Sequence, residues 1–232
     1  MNTPLSRHHN CRCSQYTTGR YPSTCATRIK PEQMFRNPLY SPPHCHIRRV
    51  FVIIRNMKKN VTIPSVFLAG PPCSGKSSTG YLLAEELGFA FCDLDKRIEK
   101  LNKTEILHIF RKYGESRFRQ IESRALISYL DTSKDNFVMA LGGGCLLQER
   151  NLSIVRKRGI IITLYAPTEV LLERLDTQRT SRPLAPSSES MKALLNKRKE
   201  HYTALPNRFD TSKTDPQETA KKIAEFLRKK TT

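Results

Sequence analysis

Ser65-Val-Phe-Leu-Ala-Gly70-Pro-Pro-Cys-Ser-Gly75-Lys76-Ser77 is the stretch that decides how this chain folds. Ser65–Ala69 reads as a buried strand that runs into the pattern G-x-x-x-x-G-K-S. A helical pattern from Ser77 to Leu87 follows and stops at Gly88, where a residue without a Cβ readily takes the left-handed cap. In this strand–loop–helix setting, backbone N–H groups wrap phosphate oxygens at a helix N-terminus, where the helix dipole favours anions. Lys76 is then placed to reach the β- and γ-phosphates and the Ser77 hydroxyl to hold Mg²⁺. Pro72, Cys73, Ser74, Gly75 and Ser78 complete the expected nucleotide contacts.

Downstream of the loop, strand-like runs alternate with amphipathic segments, the order of a parallel sheet with crossover helices. Phe89–Cys92, Phe137–Leu141, Gly159–Tyr165 and Arg208–Thr211 read as strands. A helix is expected from Thr104 and Glu105 to Gly114, another from Glu115 to Leu130, and others at Thr168 to Asp176 and around Met191–Tyr202. Asp215-Pro216 caps a terminal helix, with Pro at its tolerated first position. Thr177–Ser190 is polar, contains proline and reads as a lid over the phosphates. The expected fold is therefore α/β, a parallel sheet flanked by helices in three layers with a mobile lid, spanning residues 61–232.

Residues 1–60 differ in texture. They hold 11 of the 40 Lys and Arg residues but one acid, Glu32, of the 21, so much of the formal charge of +19 sits there. They show no sustained helical or strand period, and their longest apolar run, Val50–Ile54, is far short of the ~20 residues that span a bilayer. A basic, disordered extension is expected. Three readings of it stand side by side: a start of translation at Met57, an organelle transit peptide that would direct the protein to a plastid, and a genuine basic or metal-binding arm. The spacing of His8, His9, Cys11, Cys13, Cys25, His44, Cys45 and His46 lacks the matched Cys pairs of zinc sites. Seven irregularly spaced cysteines point to reduced thiols and a cytoplasmic setting.

Four further groups carry candidate chemistry. Asp93 and Asp95 stand two apart at the end of the second strand, where a period of two sends both toward the ligand crevice; the bland reading is a solvated turn in which Asp95 caps the next helix. Arg119 and Glu122 share a helix face, where the reading favoured by the residues alone is a surface ion pair. Arg182 in the polar loop and Arg198 on the helix after it are ambiguous taken singly, though phosphoryl transfer needs mobile cations over the phosphates. Gly142-Gly143-Gly144 after the third strand would let a ligand approach backbone N–H groups closely.

In order along residues 63–228, these elements resemble the shikimate kinase family. The resemblance rests on Gly70–Ser77, Asp93-Leu-Asp95, Gly114-Glu-Ser-Arg-Phe-Arg119-Gln-Ile-Glu122, Gly142–Gly144, Arg182-Pro-Leu184 and Arg198–Tyr202. It implies ATP and Mg²⁺ at Lys76 and Ser77, with Asp93 supporting the metal through water. It further implies Asp95 as the base at the attacked ring hydroxyl, and Arg119 and Arg198 as a clamp on the shikimate carboxylate with Glu122 orienting Arg119. The amides of Gly142, Gly143 and Gly144 would complete the acceptor pocket, Arg182 would close over the phosphates, and Arg174 would stack on adenine. Lys76, Asp95 and Arg182 are thus the expected catalytic groups of a monomeric enzyme in the pathway to chorismate and the aromatic amino acids.

The chain departs from the family at Cys73, where a middle glycine is usual, at Ala185, where leucine is common, and at Pro206-Asn207, where Ala-Asp is more frequent. A thiol at position 73 is expected near the phosphates, open to oxidation if the helix N-terminus lowers its pKa. Kinases acting on gluconate or nucleoside monophosphates share the first motif without the arginine pattern. A nucleic-acid- or membrane-binding role for the basic arm finds no periodic face or aromatic interleaving to support it.

Overall fold

The computed structural model describes residues 63–178 and 187–231. Its centre is β1 (Ser65–Ala69), a strand with every residue buried. The phosphate loop leads from it into α1 (Lys76–Leu87), which Gly88 ends in the left-handed conformation. β2 (Ala90–Asp93), α2 (Leu94–Asn102) and α3 (Ile106–Thr132) follow, then β3 (Phe137–Ala140) and a 3₁₀ turn at Cys145–Leu147. α4 (Glu149–Arg158), β4 (Gly159–Tyr165), α5 (Thr168–Gln178), α6 (Ser188–Lys197), α7 (Lys199–Ala204), β5 (Arg208–Asp210) and α8 (Pro216–Lys230) complete the described chain.

The five strands lie in the order β2-β3-β1-β4-β5, and every pair is parallel. Alternation along β1 feeds two cores. Phe67 and Ala69 face α2, α3, α4 and α7 with Met139 and Leu126, while Val66 and Leu68 face α1 and α8 with Val138, Ile162 and Leu164. The helix–sheet–helix layering expected from the sequence is therefore present, and it sets the C-terminal ends of β1, β2 and β3 along one edge.

Differences from the sequence reading lie mostly at helix ends. Gly114 breaks α3 as expected, with φ 75° and ψ 175° between helical residues on both sides. Its first half, however, is not capped by Thr104 or Glu105: the Ile106 N–H donates instead to Glu99 Oε1 at 3.1 Å. The cap of α2 is Asp93 and not Asp95: the strand ends at Asp93, whose carboxylate accepts the Lys96 N–H, and Asp95 lies in the first turn of the helix. The single helix expected around Met191–Tyr202 is two, broken where Arg198 leaves helical geometry with φ −107° and ψ 6°. α4 escaped the sequence reading altogether, since among its basic residues only Asn151, Leu152 and Val155 are buried, too short a stripe to register as a period. Asp215 caps α8 as expected, accepting from the Glu218 N–H at 2.7 Å. The extension at 1–60 and most of the loop expected as a lid, residues 179–186, lie outside the described residues.

Leu126 in the second half of α3 is fully buried in the core that carries the acceptor side of the site. Leu126→Ala should lower the unfolding free energy by about 2–5 kcal/mol, read from urea denaturation followed by circular dichroism.

Candidate active site

The phosphate loop is built on backbone that favours glycine. Gly70 has φ 130° and Gly75 φ 87°, and a Cβ on Gly70 would overlap the Leu164 carbonyl of β4. Cys73 adopts φ 60° with a side chain in place, a conformation that costs an L-residue roughly 1–2 kcal/mol. What offsets this is packing. The Cys73 side chain is buried with Leu171 and Leu175 of α5 and Met191 and Leu195 of α6. The expectation that this thiol stands beside the phosphates is thus replaced by an apolar contact between the loop and the helices on either side of residues 179–186. Cys73, Cys92 and Cys145 are all free thiols.

Two carbonyls of the loop are tied down from outside. Arg174 Nη1 donates to Cys73 O at 3.4 Å, and its two terminal nitrogens also hold Thr211, at 3.1 Å to Oγ1 and 2.5 Å to the carbonyl. Thr211 Oγ1 in turn lies 3.3 Å from Ser74 O. Arg174, expected against adenine, is therefore positioned beside the loop by the end of β5. Lys76 Nζ bonds the Gly70 and Pro71 carbonyls at 3.0 and 2.7 Å, which folds the ammonium back over the loop. Pro72 is buried and would touch a Cβ on Gly143, whereas Ser78 is exposed on the first turn of α1.

Ser77 and Asp93 were expected to serve one metal ion, and the structure brings them together: Ser77 Oγ donates to Asp93 Oδ2 at 2.5 Å. A hydroxyl and a carboxylate at the mouth of a phosphate loop suit Mg²⁺, which keeps several waters and takes phosphate oxygens as ligands. Among the described residues no cluster of three or more His, Cys, Asp or Glu could cage a metal unaided.

The acceptor side forms around Gly142–Gly144. A Cβ on Gly142 would lie 2.5 Å from Glu122 Oε1 and 3.0 Å from Asp95 Oδ1, and one on Gly144 would collide with the Arg119 guanidinium. The glycines thus make room for the protein's own charged groups, rather than only for a ligand. Arg119 Nη1 donates to Glu122 Oε2 at 2.7 Å, while its Nε and Nη2 both reach Glu115 Oε1, at 3.3 and 3.1 Å. Arg198 Nη2 approaches the same Glu115 oxygen at 3.7 Å. The Tyr202 hydroxyl donates to the Gly143 carbonyl at 2.8 Å and fixes the turn.

The structure brings Asp95, Arg119, Arg198 and the three glycines together, and Arg182 lies outside the described residues. Sequence reasoning assigned no role to Glu115 or Tyr202, although both stand inside the patterns Gly114–Glu122 and Arg198–Tyr202. Nor did it assign one to Thr211, whose hydroxyl lies outside every recognisable pattern.

Electrostatics here follow burial. The Glu122 side chain has no exposed surface, and burial pushes its carboxyl up to about 7; Arg119 draws it down and Asp95 pushes it up again. Burial alone would lower the Arg119 guanidinium, but Glu122 and Glu115 outweigh that and hold it above its ordinary value. Glu122 Oε1 has no hydrogen-bond partner among the described residues.

A parallel α/β sheet with this loop at its centre, beside paired arginines and carboxylates, defines a phosphate-loop kinase of a small anionic acceptor. The sequence profile for shikimate kinase matches residues 72–228. The shikimate kinase of Thermodesulfovibrio yellowstonii is 42% identical over 162 residues, covering 68% of this chain and 92% of that one. That of Geobacter sulfurreducens is 37% identical over 176 residues, covering 73% and 96%. The Acinetobacter baumannii shikimate kinase structure, solved in complex with shikimate, superposes with a TM-score of 0.66 at 31% identity, covering 73% of this chain and 96% of that one. The chain belongs to the shikimate kinase family.

The Glu122 carboxyl yields a pH prediction. Its folded pKa of about 7 lies above the ordinary 4.5, so between those values the folded state binds more protons than the unfolded chain. Stability from this group is then full below about pH 4.5 and falls as pH rises toward 7. In urea unfolding at pH 5 and pH 7.5, Glu122→Gln should compare more favourably with wild type at the higher pH. A pH-independent difference would contradict the assignment.

Proposed function

We propose that this protein transfers the γ-phosphoryl group of ATP to the 3-hydroxyl of shikimate, giving ADP and shikimate 3-phosphate. The observation that carries the reading is the convergence of two nearly buried guanidiniums, Arg119 and Arg198, on one carboxylate oxygen beside Asp95 and next to the phosphate loop. Paired guanidiniums suit a ligand carboxylate because each can donate parallel hydrogen bonds. The family match fixes which small carboxylate-bearing alcohol is meant.

In this reading Lys76 turns from the Gly70 and Pro71 carbonyls to the β- and γ-phosphates. Ser77 and Asp93 hold Mg²⁺, which supplies charge neutralisation on the phosphates when bound. Arg119 and Arg198 fix the acceptor by its carboxylate, and Asp95 receives the proton of the 3-hydroxyl. The acceptor oxygen forms its bond to the γ-phosphorus as the bond to the β-phosphate oxygen breaks. Positioning and charge do most of the work. Arg174 borders the adenine side, and Arg182, outside the described residues, keeps the role of a phosphate-binding cation expected from the sequence.

The deciding experiment is a coupled assay of ADP release with shikimate, gluconate and AMP as acceptors, the product identified by ³¹P NMR. Turnover of shikimate alone is expected; turnover of gluconate or AMP without shikimate overturns the proposal. Arg119→Ala should raise KM for shikimate by roughly 10- to 100-fold through loss of charge-assisted hydrogen bonds. ATP affinity should be unchanged, and an equal loss of both ligands would speak against the assigned role.

A further inference from the structure

Of Arg119's donors, Nη1 is committed to Glu122, which is fully buried and cannot leave. The other edge of the guanidinium, Nε and Nη2, is the one a ligand carboxylate would grip, and Glu115 Oε1 already holds both nitrogens. The same oxygen faces Arg198. A side-chain carboxylate thus occupies the position between the two arginines that the acceptor carboxylate needs.

The three partners differ in freedom. The Arg119 and Arg198 side chains are 13% and 8% exposed, whereas that of Glu115 is 48% exposed. Glu115 directly follows Gly114, whose left-handed backbone breaks α3 and around which a Cβ would find nothing within 4 Å. It therefore stands at the start of the second helical half, where a negative side chain is favoured even after it has turned to water. Leaving costs Glu115 little, while the arginines stay in place.

From this arrangement we infer that Glu115 is a resident surrogate for the acceptor's carboxylate: it neutralises the arginine pair in the free enzyme and is displaced when the acceptor binds. The inference rests on the acceptor reading above and adds a specificity device to it. An acceptor must outcompete an internal carboxylate, which a ligand with ring hydroxyls for Asp95 can do and a bare carboxylate does poorly. Glu115 is in this sense a positioning residue that acts through Arg119 and Arg198.

Isothermal titration of shikimate into wild type and Glu115→Gln, without nucleotide, tests it. The amide keeps the shape and removes the charge, so shikimate should bind about two- to five-fold tighter, the size expected of a half-exposed ion pair. Cyclohexanecarboxylate, which carries the carboxylate without the hydroxyls, should gain at least as much. Thermal melts supply a readout that a purely structural role would not move. Glu115→Gln should melt below wild type when free, and the gap should close at saturating shikimate, because the bound enzyme no longer uses Glu115. Unchanged or weaker binding of both carboxylates, or a gap that persists at saturation, overturns the inference. Glu115→Asp, one methylene shorter, gives the same comparison if the amide variant does not fold. Should wild type fail to phosphorylate shikimate, the proposed function falls, and the cyclohexanecarboxylate titration still decides the role of Glu115.

Discussion

Arg119, whose side chain keeps 13% of its surface exposed, and Glu122, which keeps none, form the ion pair around which the acceptor side is arranged. Burying two charges is costly, and their attraction repays the cost only when the remaining donors and acceptors find partners. Arg119 meets that condition through Glu115 and by lying over the Phe118 ring. Glu122 meets it incompletely, with one oxygen unpartnered and a carboxyl held near neutrality. The Gly142–Gly144 turn follows from the pair: any side chain at 142 or 144 would strike one of its members.

The nucleotide side answers to a different constraint, the shape of a loop that must turn three times through left-handed backbone between Gly70 and Gly75. Cys73 is informative because it resists the trend. A glycine would take φ 60° without strain, yet a side chain there joins the loop to α5 and α6 through Leu171, Leu175, Met191 and Leu195. Together with the bonds from Arg174 and Thr211 to the carbonyls of Cys73 and Ser74, this fixes the loop apex from two directions.

The sequence made the parallel sheet and the loop legible because each repeats a local rule, a buried apolar strand and a glycine spacing, whereas the arginine clamp was legible only through the family resemblance, since an arginine three residues from a carboxylate is by itself an ordinary surface pair. It was silent on α4, where tertiary packing of Leu152 and Val155 overrides a strongly basic sequence. Periodicity misplaced Asp95, which lies in the first turn of α2 and reaches Gly142 from a helix instead of a strand. Glu115 stood within a pattern that was read for its arginine and its second glutamate. That its oxygen would be shared with Arg198 depends on a break between α6 and α7 for which no local residue preference gave warning.

The strand order has a temporal meaning. β1 pairs only with β3 and β4, so Val66 meets Val138 and Ser65 meets Gly159, contacts that span long stretches of intervening chain. Such pairings carry a high loop-closure cost and set the pace of folding. Gly70 takes its turn against the Leu164 carbonyl of β4. A nascent chain that has emerged only as far as β3 therefore carries the whole G-x-x-x-x-G-K-S pattern in its sequence while the β4 strand that flanks both β1 and Gly70 is still unmade.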